Sequence, residues 1–144
     1  MKVKDCMCKK VISASKDTSI KEISSLMKEY DIGTMPICDE NKNIIGIITD
    51  RDIVLRGVAE NKNLEVLKAG DIMTQNHIIK LDINATTLEA SKTMSNNQIR
   101  RLPVIENNKL VGIISIGDLA RNNDVSTTNV GTTFECICMN FGNK

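Results

Sequence analysis

The sequence contains two copies of one pattern, 66 or 67 residues apart. Equivalent residues in the two copies are Asp5 and Asp71, Glu22 and Glu89, Pro36 and Pro103, and Gly46 and Gly112. The one-residue differences in spacing fall in polar turns. Solenoid repeats are shorter than this, so the pattern predicts a duplicated half-domain. Half-domains of this size bury little apolar surface alone, and the two copies should therefore pack on each other.

Each copy predicts the element order β-α-β-β-α. Apolar residues at helical spacing predict a helix from Ile20 to about Tyr30, which residues 17–19 are suited to cap. A second helix follows Thr49. The predicted strands of the first copy are residues 11–14, 32–38 and 44–48. Those of the second copy are residues 78–81, 102–105 and 110–114, and its first helix is predicted at residues 88–94. The predicted fold class is α/β, with two repeats packed about a pseudo-twofold axis that would generate two related clefts.

The chain is predicted to divide into four parts. Residues 1–57 form the first repeat, residues 58–68 a polar connector, and residues 69–122 the second repeat. Residues 123–144 show no helical periodicity at their start, and their later apolar stretch fits either a strand or a loose tail. We expect this tail to be flexible unless it docks on a partner.

The composition argues against nucleic acid as a partner. Hydrophobic residues make up 41% of the chain but aromatic residues only 2%, with no Trp, so Ile, Leu, Val and Met must build the core. Nucleic-acid bases would therefore find few aromatic side chains on which to stack. The 19 Lys and Arg residues against 18 Asp and Glu give a net charge of +1, which indicates no polyanion-binding surface.

No membrane partner is expected either. No apolar stretch approaches the roughly 18 residues needed to span a bilayer, and residues 1–5 do not resemble the start of a signal peptide. Five cysteines, an odd number, fit reduced thiols better than a disulfide framework. These features predict a soluble cytoplasmic protein.

Neither a catalytic group nor a metal site is predicted. Two Cys-x-Cys pairs could in principle form a tetrathiolate zinc site, namely Cys6 with Cys8 and Cys136 with Cys138. Their spacing is tighter than usual, however, and Cys6 matches a core position of the second repeat. The single histidine, His77, lies in a predicted turn, and the phosphate-binding loop and dinucleotide fingerprints are absent. We therefore predict that the chain is not an enzyme and requires no cofactor.

A hydroxyl residue and an Asp follow the last strand of each copy: Thr49 and Asp52 in the first, Ser115 and Asp118 in the second. At such a strand-to-helix junction, free amides and the helix dipole favour a phosphate, which the hydroxyl can also bind. The Asp can accept charge-assisted hydrogen bonds from two vicinal ribose hydroxyls. The same residues also fit capping boxes that satisfy the helix's own amides, and the two roles are compatible.

These features together resemble a tandem pair of CBS domains (cystathionine β-synthase regulatory modules), often called a Bateman module. The resemblance covers residues 1 to about 122. It is carried by the Asp-x-Met stretches at 5–7 and 71–73, the hydrophobic-Pro pairs at 35–36 and 102–103, and the two Gly-x-x-Thr/Ser-x-x-Asp stretches. Each pattern is weak alone, but their order, spacing and duplication make the combination specific.

In this family, paired modules bind adenosine-containing ligands such as AMP, ADP, ATP, S-adenosylmethionine or cyclic dinucleotides, usually to regulate an attached or associated protein. The resemblance implies that Asp52 and Asp118 take the ribose hydroxyls and that Thr49 and Ser115 take the phosphates. It also implies that the base lies between the first strand of each repeat and the residues around each proline. Those residues are Ile12, Ser13, Met35, Pro36 and Ile37 in the first repeat, and Ile79, Lys80, Leu102, Pro103 and Val104 in the second.

The two clefts are not expected to be equivalent. Arg100 and Arg101 match a basic pair that reaches phosphate in some family members, and guanidinium groups suit phosphate. A solvated surface pair is the alternative. The first repeat has Gly33 and Thr34 at these positions, and its Arg51, inside the Thr-x-x-Asp stretch, is expected to point to solvent.

The sequence therefore predicts a non-catalytic sensor module whose regulatory ligand is an adenosine nucleotide in the clefts between the repeats. The resemblance also implies a homodimer and a regulated target protein of unknown identity. Two alternatives remain: a structural or adaptor protein that keeps the fold but leaves the clefts empty, and a redox or zinc sensor whose function lies in the four paired cysteines.

Overall fold

The computed structural model describes residues 1–122. These residues form two compact units, one of Ile12–Ile78 and the other of Met1–Val11 together with residues 79–122. The expectation for the tail, residues 123–144, lies outside the described residues. Within residues 1–122, no helix is both long and apolar enough to cross a membrane.

The Ile12–Ile78 unit combines an antiparallel strand pair with one long helix. Its elements are helix α1 (Ile20–Tyr30), strands β1 (Thr34–Cys38) and β2 (Ile44–Thr49), helix α2 (Asp50–Ile53), which continues as a π-helical stretch (Val54–Val58), and helix α3 (Ala69–Ile72). The predicted helix from Ile20 to Tyr30 is confirmed. Ser19 caps it, because its hydroxyl accepts the N–H of Glu22 at 3.1 Å.

The core of this unit is aliphatic, as the composition requires. Ile20 and Ile23 on α1 pack in one cluster with Met35 and Ile37 on β1 and Ile48 on β2, and all five side chains are fully buried. Burying an aliphatic side chain of this size contributes about 1.5–3 kcal/mol. Residues of β2 alternate between buried and half-buried, so one face of the strand meets the core.

The predicted strand at residues 11–14 is wrong, since only Ala14 pairs, in a parallel bridge with Ile37. The Ala14 N–H donates to the Pro36 carbonyl at 3.1 Å, and the Ala14 carbonyl accepts the N–H of Cys38 at 2.9 Å. Extending this ladder backwards would require an N–H from Pro36, which proline lacks. The proline therefore prevents the pairing from extending back over residues 11–13.

The second unit contains a three-stranded sheet in the order β3-β4-β5. Strands β3 (Leu81–Asp82) and β4 (Arg101–Glu106) are parallel, whereas β4 and β5 (Lys109–Ser115) are antiparallel. The unit also contains helices α4 (Thr87–Asn97) and α5 (Ile116–Arg121) and a 3₁₀ turn (Val3–Asp5). The α/β class is thus confirmed. The strand predicted at 78–81 is wrong in extent, because Leu81 pairs with Val104 and the preceding Pro103 cannot donate to an earlier rung.

Each unit contains residues from both sequence repeats. Cys8 exchanges two backbone hydrogen bonds, of 2.8 and 2.9 Å, with Ile113 on β5. Thr74 does the same with Ile47 on β2, at 2.9 and 3.0 Å. The leading segment of each repeat therefore pairs with the last strand of the other.

Candidate functional site

The first helix start is a complete capping box. Thr49 Oγ1 accepts the N–H of Asp52 at 3.2 Å, and Asp52 Oδ2 accepts the N–H of Thr49 at 2.9 Å. These bonds satisfy two amides that a helix start otherwise leaves free. Among the described residues, Asp52 Oδ1 has no hydrogen-bond partner, and the Thr49 hydroxyl has no acceptor. Both side chains are half-buried.

The second helix start has the same capping box with two additional bonds. Ser115 Oγ accepts the N–H of Asp118 at 3.1 Å, and Asp118 Oδ2 accepts the N–H of Ser115 at 2.8 Å. The Ser115 hydroxyl also donates to Asp118 Oδ2 at 2.9 Å, and the Arg121 guanidinium forms an ion pair with Asp118 Oδ1. Sequence reasoning missed Arg121, which lies beyond the motif. Its i,i+3 spacing from Asp118 is the signal that could have found it.

The two boxes thus offer different chemistry to a ligand. At the first, a carboxylate oxygen can accept from a diol and a hydroxyl can donate to an anion. At the second, the corresponding groups are already engaged within the protein. Capping is present at both helix starts, as one of the two sequence interpretations predicts.

The residues around the two prolines lie in the cores. The four flanking side chains, those of Met35, Ile37, Leu102 and Val104, are 0% exposed, and Pro36 and Pro103 are buried as well. The segments that run beside them are more open: Ser13 is exposed, while Ile12, Ile79 and Lys80 are half-buried. The solvent-accessible surface beside β1 and β4 therefore comes mainly from residues 12–13 and 79–80.

The arginine pair lies where β4 begins. Arg100 and Arg101 are both exposed. The Arg100 carbonyl accepts the N–H of Ile116 at 2.9 Å, which ties this position to the start of α5. In the first repeat the Gly33 carbonyl accepts the N–H of Asp50 at 2.9 Å in the same way.

Asp50 is a charged group near the first site that sequence reasoning missed. A Cβ atom built on Gly33 would lie 3.0 Å from Asp50 Oδ2, so the carboxylate occupies space that a side chain at position 33 would need. Two carboxylates, of Asp50 and Asp52, and the exposed Arg51 surround this helix start. The second start has one carboxylate, which pairs with Arg121, and the strand pairing brings Arg100 and Arg101 beside Ser115 and Ile116. Its charge balance is therefore the more favourable for an anion.

The Ile12–Ile78 unit also contains an open cavity of about 390 Å³. The Arg56 side chain forms part of its wall and donates from Nη1 to the Ile72 carbonyl at 2.9 Å. The other lining residues are Glu60, Lys62, Leu67, Gly70, Asp71, Met73 and Gln75. None of the predicted ligand-binding residues lines this cavity, so its position carries no support for them.

The described cysteines do not by themselves form a metal site. Residues 1–122 contain no group of three His, Cys, Asp or Glu that could hold a metal ion, and Cys136 and Cys138 lie outside them. Cys6 packs against the core, and burial raises the pKa of its thiol. Burial also raises the pKa of Cys38 within β1, whereas Cys8 is exposed.

The duplicated fold and its paired helix starts define a tandem CBS-domain protein, and the chain belongs to the CBS-domain family. The CBS domain model matches twice, at residues 3–58 and 69–123. The resemblance inferred from the sequence motifs is thereby confirmed.

Several relatives share this architecture. The CBS domain-containing protein YhcV of Bacillus subtilis is 37% identical over 94% of this chain and 94% of its own length. Hypoxic response protein 1 of Mycobacterium tuberculosis is 34% identical over 83% of this chain and 82% of its own. A crystal structure of Hypoxic Response Protein I with two coordinated zinc ions has a TM-score of 0.76, covering 84% of this chain and 98% of that one.

A second solved structure is the CBS domain pair of protein MJ0100 in complex with 5′-methylthioadenosine and S-adenosyl-L-methionine. It is 31% identical, with a TM-score of 0.74, and covers 84% of this chain and 94% of that one. A chain of the same family, at this level of identity, thus binds ligands that contain adenosine.

Proposed function

We propose that this protein is a non-catalytic regulatory module that binds an adenosine-containing small molecule. The observation that carries the proposal is the pair of capping boxes, each of which holds an Asp at a strand-to-helix junction. The adenosine ligands of the MJ0100 domain pair support the same ligand class.

The first site is proposed to bind the ribose directly. Asp52 Oδ1, which has no partner in the described part of the chain, would accept from the vicinal hydroxyls, and the Thr49 hydroxyl would donate to a phosphate where one is present. The base would lie beside Ile12 and Ser13. The buried Met35, Pro36 and Ile37 would shape this pocket from the core side.

The second site is proposed to use the equivalent residues. Ser115 and Asp118 would take the phosphate and ribose, and Ile79 and Lys80 would adjoin the base; the core residues behind them are Leu102, Pro103 and Val104. Arg100 and Arg101 would favour an anionic ligand, because both guanidinium groups are exposed and available.

Regulation would follow from a difference in ligand affinity between two conformations of the module. A ligand shifts such an equilibrium only by the ratio of its affinities for the two states. The protein would catalyse no reaction and would require no cofactor. A target protein would respond to the ligand-bound conformation.

Self-association is proposed to use an apolar patch on the helix that follows Asp52. Val54, Leu55 and Val58 are 54%, 48% and 56% exposed on this helix. Exposed aliphatic groups so close together favour burial against a second copy, in a two-fold symmetric contact. Light scattering should report a dimer that Val58→Asp converts to a monomer. Val66→Asp is a matched control, because Val66 is 70% exposed but lies off this helix.

The decisive test is calorimetric titration of nucleotide-free protein with AMP, ADP, ATP, S-adenosylmethionine, 5′-methylthioadenosine and cyclic di-AMP. We expect at least one of them to bind, and Asp52→Ala to weaken that binding by about tenfold or more, since hydrogen bonds to a charged group are lost. Asp17→Ala, which removes an exposed carboxylate in a turn before α1, should have no effect. If none of the six ligands binds, the sensor proposal fails and an adaptor with empty clefts replaces it.

A further inference from the structure

We infer that Arg121 restricts the second site by competing with a ligand diol for the Asp118 carboxylate. The inference rests on the proposed function, because it assigns a selectivity role to a residue beside that site. Arg121 acts through Asp118 and need not touch the ligand. Arg121 would therefore lower the affinity of the second site for a ribose diol without contacting the ligand.

The first support is that both oxygens of the Asp118 carboxylate already have partners. Oδ2 accepts two hydrogen bonds from Ser115, and Oδ1 is paired with the Arg121 guanidinium. The Asp118 side chain is only 14% exposed, whereas that of Arg121 is 74% exposed. The carboxylate is therefore nearly enclosed, and the arginine covers its remaining oxygen from the solvent side.

The second support is the position of the Arg121 guanidinium, which lies beside Gly117 and Ser115. A Cβ atom built on Gly117 would lie 3.5 Å from an Arg121 Nη1 atom and 3.5 Å from Ser115 Oγ. The guanidinium thus folds back over the helix start, across a position that carries no side chain. The first repeat has Arg51 at this position instead of glycine.

The third support is the contrast with Asp52. The residue three positions after Asp52 is Leu55, which is 48% exposed and cannot pair with a carboxylate. Asp52 Oδ1 consequently has no partner among the described residues. The same motif is open to a ribose in the first repeat and occupied by a cation in the second.

The consequence is a site that binds a neutral adenosine ligand more weakly than its own motif allows. A ribose diol that binds Asp118 Oδ1 must displace the arginine or share this oxygen with it, and either weakens the hydrogen bonds that the diol can form. Because the arginine is largely exposed, this competition is modest, corresponding to about two- to fivefold in affinity. Added salt weakens exposed ion pairs and should therefore weaken the competition.

The experiment isolates the second site by placing all variants in an Asp52→Ala background. The probe is 5′-methylthioadenosine, which carries a ribose diol and no phosphate. Arg121→Leu, which introduces the residue type found at position 55, should tighten binding about two- to fivefold. Arg121→Lys keeps a cation and should leave the affinity near that of the background. Lys109→Leu, a loss of one exposed charge at the far end of β5, should also leave the affinity unchanged.

A salt series distinguishes competition for Asp118 from a purely structural role of Arg121, because a structural role would not make probe binding tighten with added salt. Raising the salt from about 0.05 to 0.5 M should tighten probe binding when Arg121 is present and not when it is leucine. Unchanged or weaker probe binding on adding Arg121→Leu to the Asp52→Ala background overturns the inference. The inference is also overturned if the Asp52→Ala, Arg121→Leu double variant fails to bind the probe while the wild type binds it. If 5′-methylthioadenosine binds neither the wild type nor the Arg121→Leu variant, the inference is overturned, whereas the proposed function fails only if none of the six adenosine ligands binds the wild type.

Discussion

The sulfur of Met73 occupies the space above Gly46. A Cβ atom built on Gly46 would lie 2.4 Å from Met73 Sδ, and one built on Gly112 would lie 2.4 Å from Met7 Sδ. Each methionine belongs to the leading segment of one repeat, and each glycine to the last strand of the other. The two glycines therefore make room for the leading segment of each repeat on the last strand of the other.

Gly46→Ala should destabilise the protein by about 1–3 kcal/mol, because overpacking forces the methionine or the strand to move. Thermal and urea denaturation would measure the loss. Gly117→Ala is the matched control, since its nearest atoms are at 3.5 Å and alanine is favoured over glycine in a helix. In the double variant with Met73→Ala, the cost of Gly46→Ala should largely disappear. A fully additive double-mutant cycle would contradict the packing argument.

Glu89→Gln should lower stability near neutral pH and have no effect in acid. Glu89 accepts the N–H of Thr86 at the start of α4, and this hydrogen bond lowers the pKa of its carboxyl. A group whose pKa is lower in the folded state stabilises the fold above its unfolded pKa, and that contribution is lost as the pH falls through the folded value. The melting temperatures of the wild type and variant should therefore converge below about pH 4.

Glu22→Gln is the control for this measurement. Glu22 occupies the same position at the start of α1, but there only the Ser19 side chain forms a capping bond. Its substitution should change stability little at either pH. Equal effects of the two substitutions would show that the Glu89 hydrogen bond contributes nothing.

Local features of this fold could be predicted from the sequence because neighbouring residues determine them. The helix from Ile20 to Tyr30 has its apolar stripe and its cap within a few positions. The capping boxes at Thr49 and Ser115 are equally local. The hydroxyl and carboxylate of each box therefore appear in the sequence as a recognisable pair.

Long-range features could not be predicted in this way. The pairing of Cys8 with Ile113 joins residues that are far apart in the chain, and no local pattern indicates it. Pro36 has no N–H, so the bridge at Ala14 cannot extend back along the chain. This could have been anticipated only if the strand that pairs with Ala14 had been known. The ion pair of Arg121 with Asp118 is local by contrast, and its i,i+3 spacing could have indicated it although Arg121 lies outside the motif.

Thiol reactivity should follow burial among the described cysteines. Cys8 is exposed, whereas burial raises the pKa of Cys6 and Cys38 and reduces the fraction of reactive thiolate. Alkylation of the native protein, followed by peptide mass spectrometry, should label Cys8 at least about tenfold faster than Cys38. In denaturant the three rates should become similar. Rapid native labelling of Cys38 would contradict its placement in the core.

The role of the arginine pair can be tested by comparing two ligands that differ in charge. Replacing Arg100 and Arg101 together with alanine should weaken AMP binding by about three- to tenfold, as expected for the loss of two exposed cations beside a phosphate. Binding of 5′-methylthioadenosine, which has no phosphate, should be unaffected, and the salt dependence of AMP binding should decrease. Lys109→Ala, at an exposed position on β5, controls for the general loss of positive charge. Equal weakening of both ligands would instead indicate that the pair supports the structure, and no change in either would indicate that both arginines are simply solvated.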